Sequence, residues 1–169
     1  MKRRVVSRST AVLILAVLVI YALHLRFLPN KRYALVLYYA GENCAQNNCS
    51  LDKRISLAKQ LIFHDPLESR SYSALAALYE AKKDEQAALE LHRKAASLDE
   101  NKDSYFWLGT YYFRHHDLAS AFRYLNYMDR FTDRDPAVSY YLARIHEKLG
   151  NQDLASHYQR IAHEGGIDR

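Results

Sequence analysis

A spacing of 33 to 34 residues recurs along the second half of the chain and limits what the sequence can fold into. Three leucines carry this spacing, and each is followed by a small residue: Leu75 by Ala76, Leu108 by Gly109 and Leu142 by Ala143. An alanine comes thirteen residues after each leucine, at Ala88, Ala121 and Ala155. Polar breaks recur in the same register, at residues 82–84, 115–117 and 150–151. Because such a period is typical of stacked units, it predicts three helical pairs, each divided by one break.

The residue types at these positions resemble the tetratricopeptide repeat. The family pattern places an aromatic residue, Leu, a small residue and a second aromatic on the first helix, and a small residue on the second. The middle unit matches this pattern best, with Tyr105, Leu108, Gly109, Tyr112 and Ala121. The resemblance covers residues 67–163 and implies an all-α, right-handed solenoid of about three repeats, in which each pair buries its apolar face on a neighbour.

Three residues depart from the family pattern. Leu125 stands where the pattern has Phe, His146 replaces the second aromatic of the third unit, and Pro136 opens a helix instead of ending a repeat. Proline is tolerated at the first position of a helix because the missing N–H has no helical partner there. We therefore expect the third unit to match the family least well.

Residues 29–66 are predicted to form a degenerate helical unit that precedes the repeats. Residues 52–64 have the apolar spacing of an amphipathic helix, which should end before Pro66. Residues 31–40 are its expected partner helix, because no second strand exists with which this segment could pair. The unit would cap the start of the stack.

Residues 10–28 form a mostly apolar run behind a basic head, residues 1–9. At about 1.5 Å per residue, a helix of this length would be roughly 28 Å long, close to the thickness of a bilayer core. We therefore predict a transmembrane anchor that contacts membrane lipid. A cleaved signal peptide is the alternative, but no Ala-x-Ala-like triplet follows Ala22.

The orientation of this anchor is indicated by charge and by cysteine. More basic residues precede the run than follow it, which favours a cytoplasmic N-terminus. Cys44 and Cys49, the two cysteines of the chain, lie together in a polar segment. Because two cysteines this close in a loop suggest a disulfide, we predict a bond between them, which indicates an oxidising compartment such as the bacterial periplasm. The alternative is a pair of reduced thiols in a cytosolic loop. Two cysteines do not complete the four ligands of a metal site.

The charge distribution argues against a nucleic-acid partner. The formal net charge is +5, but the first 28 residues hold five basic and no acidic residues, so residues 29–169 carry 19 of each. A nucleic-acid-binding protein needs a basic face that neutralises phosphates. The chain is also too short for a (β/α)₈ barrel or a two-domain Rossmann enzyme.

The sequence contains no motif of an enzyme, and we predict no catalytic, cofactor-binding or metal-binding residue. Nucleophile elbows, zinc-protease motifs and glycine-rich phosphate loops are missing, and the five glycines are scattered. His115, His116 and Asp117 could suggest a metal cluster, but they fall at a polar break between two helices. We interpret them as an exposed turn in which Asp117 caps the next helix.

The predicted site is a groove for a protein partner. In the family that the repeats resemble, the first helix of each pair lines a concave groove. Stepping along these helices by 3.6 residues places twelve residues on that face, four of which are Ser73, Ala77, Glu80 and Glu147. The other eight are the predicted binding residues: Arg70, Phe106, Thr110, Phe113, Arg114, Tyr140, Arg144 and Lys148. Aromatic and Arg side chains often anchor protein interfaces. The two Phe residues could instead pack on a neighbouring helix of the same chain.

The combined prediction is an N-terminal transmembrane helix followed by a degenerate helical unit, three repeats over residues 67–163 and a tail over residues 164–169. The resemblance implies a non-enzymatic, single-pass scaffold of the bacterial inner membrane that docks a protein partner in the periplasm and helps to assemble or stabilise a complex. Two alternatives stay open: an accessory or regulatory subunit of a membrane enzyme, and an anchored receptor that faces the cytosol.

Overall fold

The computed structural model describes residues 17, 34, 35, 37, 38, 40–99, 101–132 and 134–167. The chain divides into two compact units, one up to Pro66 and one from Leu67 onward. Within the described residues, the first unit contains α1 (Leu51–His64), and the second contains three helical pairs. The pairs are α2 (Ser69–Ala81) with α3 (Glu85–Leu98), α4 (Lys102–Arg114) with α5 (Leu118–Asp129), and α6 (Pro136–Lys148) with α7 (Gln152–Glu164).

In the first unit, residues 40–46 are helical and lead into the cysteine segment. Cys44 and Cys49 form a disulfide, with their Cα atoms 5.1 Å apart. The next helix, α1, begins directly after Ser50, whose side chain accepts a hydrogen bond from the Lys53 N–H. This bond satisfies one of the free N–H groups at the helix start. The helix ends at His64, as the following Asp65 and Pro66 predict.

The structure does not support the predicted transmembrane helix. Residues 10–28 lie outside the described residues except for Val17. Among the residues that the structure does describe, no helix is long and apolar enough to cross a membrane. The described helices have 12 to 14 residues, whereas a span needs about 20 apolar ones. The predicted fold class was therefore wrong in including a membrane span, and the fold that the structure supports is an all-α solenoid of helical pairs.

In the second unit, the two helices of each pair pack on each other, and α4 and α6 also contact the preceding pair. The centre of the unit is formed by fully buried side chains, which include Leu108, Leu125, Leu142 and Ile145. Two of the three repeating leucines, Leu108 and Leu142, have 0% exposure, and Leu75 has 4%. Burial of such side chains is the main source of stability in a stack of amphipathic helices. The predicted pairing of helices in a tetratricopeptide-like stack is confirmed.

The turns inside the three pairs have the same backbone conformation. Lys83, His116 and Gly150 occupy equivalent positions and have φ angles of 62°, 61° and 77°. Only the third turn uses glycine, which adopts positive φ without steric cost. The Asp117 carboxylate accepts a hydrogen bond from the Ser120 N–H at 3.0 Å, so the predicted cap at the start of α5 is confirmed. His115 and His116 are exposed in this turn.

The departures from the family pattern have packing explanations. Leu125 lies against Gly109: a Cβ atom at Gly109 would come within 2.5 Å of the Leu125 Cγ atom. His146 supplies a flat ring where the pattern has Tyr, and it stacks on Tyr158 with ring centroids 5.7 Å apart. Pro136 is the first residue of α6, as predicted.

Candidate functional site

The eight predicted groove residues lie on the first helices of the pairs, α2, α4 and α6. We call this side of the second unit the groove face; neighbouring helices α4 and α6 contact each other on it. Four of the eight residues are exposed cations: Arg70, Arg114, Arg144 and Lys148. The other four are half-buried: Phe106, Thr110, Phe113 and Tyr140. The binding role of these eight residues stays a prediction.

The two Phe residues of the groove face also pack inside the protein. The rings of Phe106 and Phe113 lie 5.9 and 5.5 Å from the ring of Tyr141 on α6. Both rings border the buried cluster formed by α5 and α6. Their contact with the next repeat agrees with the second interpretation of these residues. Each ring keeps only part of its surface for a partner.

Arg114 borders a small cavity between the first and second pairs. The cavity has a volume of about 300 Å³ and is lined by Glu80, Lys83, Glu85, Trp107 and Arg114. The Arg114 guanidinium lies 3.4 Å from the Glu85 carboxylate, and both side chains are about half exposed. Because an exposed ion pair contributes little to stability, Arg114 can exchange Glu85 for an acidic group of a partner at small cost.

Tyr140 and Arg144 border a second, larger cavity between α6 and α7. Its volume is about 520 Å³, and Glu147 and Arg160 also line it. The Arg144 Nε atom lies 3.6 Å from the Glu147 carboxylate. The structure thus brings three of the eight predicted residues to two cavities. The other five line neither of them: Arg70, Phe106, Thr110, Phe113 and Lys148. The Thr110 hydroxyl donates to the Trp107 carbonyl oxygen at 2.9 Å within its own helix.

Trp107 is the residue of this face that sequence reasoning missed. Its ring stacks on His92, with centroids 4.4 Å apart, and on Tyr111, with centroids 5.1 Å apart. The available signal was that this is the one Trp of the chain. The family pattern directed attention to Tyr105, two residues earlier, which packs towards the second helices, against Tyr124 and Tyr127.

His92 connects three helices beneath Trp107. Its Nδ1 atom lies 3.0 Å from the Ser104 hydroxyl on α4, and its Nε2 atom lies 3.1 Å from the Glu80 carboxylate on α2. The contacts run from Ser104 through His92 to Glu80, which is the arrangement of a Ser–His–acid triad in hydrolases. However, Ser104 has 0% exposure, so no substrate can reach its hydroxyl. We therefore interpret the three residues as a structural connection between the first two pairs.

The charge state of His92 depends on its burial. Burial lowers the pKa of His92, and the hydrogen bond to Glu80 and the charges of Glu80 and Asp103 oppose this effect without reversing it. Burial also lowers the pKa of His146. Both groups therefore favour the neutral imidazole in the folded protein.

This burial predicts a loss of stability in acid. In the unfolded chain both imidazoles regain the ordinary pKa of about 6.5 and bind protons more readily than in the fold. The free energy of unfolding is therefore not reduced by these two groups above about pH 6.5, and it decreases as the pH falls below this value. His92→Gln should reduce the loss between pH 7.5 and 5.0, because Gln keeps a polar contact with Glu80 and does not titrate. Urea unfolding at both pH values measures the difference, with exposed His157→Gln as the matched control. An unchanged pH dependence in His92→Gln would contradict the prediction.

Three antiparallel helical pairs with Leu and a small residue at each contact define the tetratricopeptide repeat fold, and solved structures agree with this class. MamA has 20% sequence identity to the chain and a TM-score of 0.64, over 85% of this chain and 83% of that one. YrrB, a TPR protein with an unusual peptide-binding site, has 19% identity and a TM-score of 0.61, over 81% and 67%. PilF of Pseudomonas aeruginosa has 16% identity and a TM-score of 0.50, over 83% and 80%.

These identities show a shared fold and do not transfer a ligand or a partner. No protein-family model matches the sequence, and no characterised protein matches it by sequence. The predicted resemblance to tetratricopeptide repeats is confirmed at the level of the fold. The membrane-anchored envelope type is not shown by these structures.

Proposed function

We propose that the protein is a scaffold that binds a segment of a partner protein along the groove face and helps to assemble or stabilise a complex. The observation that carries this proposal is the pair of open cavities beside exposed arginines, one at Arg114 and Trp107 and one at Arg144 and Tyr140. Each site combines a guanidinium with an aromatic ring, the residue types that anchor protein interfaces. YrrB, which has a similar fold, contains a peptide-binding site, and this supports the proposal.

The charges of the groove face suggest the kind of segment that it binds. Arg70, Arg114, Arg144 and Lys148 are exposed along it, and the acidic partners of Arg114 and Arg144 are themselves partly exposed. An extended or helical segment with acidic side chains could replace these partners. We propose that such a segment follows the face from the first cavity to the second.

The compartment of this scaffold is proposed from its cysteines. A disulfide between Cys44 and Cys49 supports an oxidising compartment such as the bacterial periplasm, because cytosolic thiols are kept reduced. Mass measurement of the native protein, alkylated without prior reduction, tests the proposal, because a disulfide does not react with the reagent. Addition of two alkyl groups would favour the receptor that faces the cytosol.

Charge reversal tests the groove face. The double variant Arg114→Glu and Arg144→Glu should lower partner recovery in affinity purification by about tenfold or more, because removal of a hot-spot Arg costs about 2 kcal/mol. Arg123→Glu, which reverses an exposed charge on α5, is the matched control and should not change recovery. Circular dichroism should show that all variants stay folded. Undiminished recovery by the folded double variant would place the interface elsewhere.

A further inference from the structure

One side of the third helical pair has residues that the first pair uses to pack against α4. Four residues of the third pair are identical to those 67 positions earlier in the first pair: Ala143 to Ala76, Glu147 to Glu80, Arg160 to Arg93 and Ala162 to Ala95. The middle pair has different residues at these positions: Gly109, Phe113, Asn126 and Met128. At these positions the third pair therefore resembles the first pair and differs from the second pair, which is its direct neighbour.

In the first pair this set of residues is covered by α4. The Arg93 guanidinium donates to the Tyr112 hydroxyl at 2.6 Å through Nη2 and at 3.1 Å through Nε. The bonded pair Glu80 and His92 lies under Ser104 and Trp107 of the same helix. Ala76 and Ala95 have 0% exposure, so α4 approaches the first pair closely over two small side chains.

In the third pair the same set borders the cavity of about 520 Å³. Among the described residues, this cavity is lined by α6, α7 and Ile167. We call it the end slot. The Gln159 amide donates to the Glu147 carboxylate, which repeats the bond between His92 and Glu80 at the equivalent positions. The polar pair, the Arg and the two alanines that receive α4 are thus present in the end slot, and its Arg160 and Gln159 are exposed.

The charges of the end slot indicate an acidic occupant. Its lining includes the guanidinium groups of Arg144 and Arg160 and one carboxylate, that of Glu147. This carboxylate already contacts Gln159 and Arg144. The slot therefore presents unbalanced positive charge, which favours a partner surface with acidic groups.

We propose that the end slot binds an amphipathic, net acidic helix of a partner protein in the way that the first pair binds α4. The helix would carry a small hydroxyl residue, an aromatic residue three positions later and a Tyr five positions after that, the spacing of Ser104, Trp107 and Tyr112. Its aromatic ring lies beside the Glu147 and Gln159 pair, and its Tyr hydroxyl accepts from Arg160. The end slot is the second cavity of the groove face, so this proposal rests on the proposed function and adds the kind of helix that the cavity binds.

A peptide copy of α4 provides the probe for the end slot. The peptide spans residues 101–116, carries Lys102→Glu and Arg114→Glu to make it acidic, and is held helical by a staple on its outer side, since short isolated helices are marginal in water. Fluorescence anisotropy of the labelled peptide is measured against the intact full-length protein. We expect saturable binding that Trp107→Ala in the peptide weakens at least tenfold.

Two variants of the protein locate this binding. Ser156→Glu places a bulky anion in the end slot and should weaken peptide binding at least tenfold, whereas Leu154→Glu, at an exposed position of the same helix outside the slot, should leave it unchanged. Absence of saturable binding, or binding that Ser156→Glu does not weaken, would overturn the proposal. Dimers of the protein that Ser156→Glu dissociates and Leu154→Glu does not would also overturn it, because the occupant would then be a second copy.

Discussion

Leu142→Ala should lower the free energy of unfolding of the repeat unit by about 3 kcal/mol, within the range of roughly 2–5 kcal/mol for deletion of a buried Leu side chain. Leu142 has 0% exposure and belongs to the buried cluster of α5 and α6, which also contains Leu125 and Ile145. Replacement by Ala removes apolar contacts and leaves a cavity that the helices on both sides cannot fill, because they are held in place by the neighbouring pair.

Urea unfolding followed by circular dichroism measures this effect. The matched control is Leu149→Ala: Leu149 follows the end of α6 and is 53% exposed, so its removal should change stability by less than about 0.5 kcal/mol. Equal losses in the two variants would show that the third repeating leucine does not occupy the core.

Gly109→Ala should destabilise the protein by about 2 kcal/mol, although Ala is favoured over Gly in most helices by about 1 kcal/mol. A Cβ atom at position 109 would lie 2.5 Å from the Leu125 Cγ atom and 2.8 Å from its Cδ2 atom. Leu125 has 0% exposure and cannot move aside without disturbing the centre of the unit. The expected loss therefore comes from overpacking between α4 and α5.

The control for this variant is a glycine with free space around it. Gly41 lies in a helical segment, and a Cβ atom there would meet no atom within 4 Å, so Gly41→Ala should not destabilise the protein. Adding Leu125→Ala to Gly109→Ala should cost less than the two single changes together, because the smaller side chain removes the overlap. A stabilised Gly109→Ala variant would contradict this account of the close contact.

The periodic residues were sufficient to predict the helical pairs, since Leu108 and Leu142 repeat a local pattern and His116 and Asp117 form a local turn. The cluster around His92 could not be predicted in this way. Its contacts, Glu80 and Ser104, are each 12 residues away on other helices, and Trp107 of the next repeat stacks on the imidazole.

The groove face shows the same limit. Helical stepping places Phe106 and Phe113 on one side of α4, but the packing of α6 against that side depends on the angle between successive pairs. This angle is not encoded in a single helix. Tyr141 therefore covers part of the surface of both rings, and the sequence could not predict how much. The exposed Arg114 and Arg144 were easier to predict, because charged side chains seldom become fully buried.

The central claim is that the groove face contacts a partner protein, and site-specific photo-crosslinking in native cells tests it most directly. A photoreactive amino acid is placed at position 114 or 144 on the groove face and, as matched controls, at exposed positions 94 and 123 on the second helices α3 and α5. Mass spectrometry then identifies the crosslinked products. We predict that positions 114 and 144 crosslink to the same protein and that positions 94 and 123 do not. Crosslinking of one protein from positions 94 and 123, with none from 114 and 144, would contradict the claim.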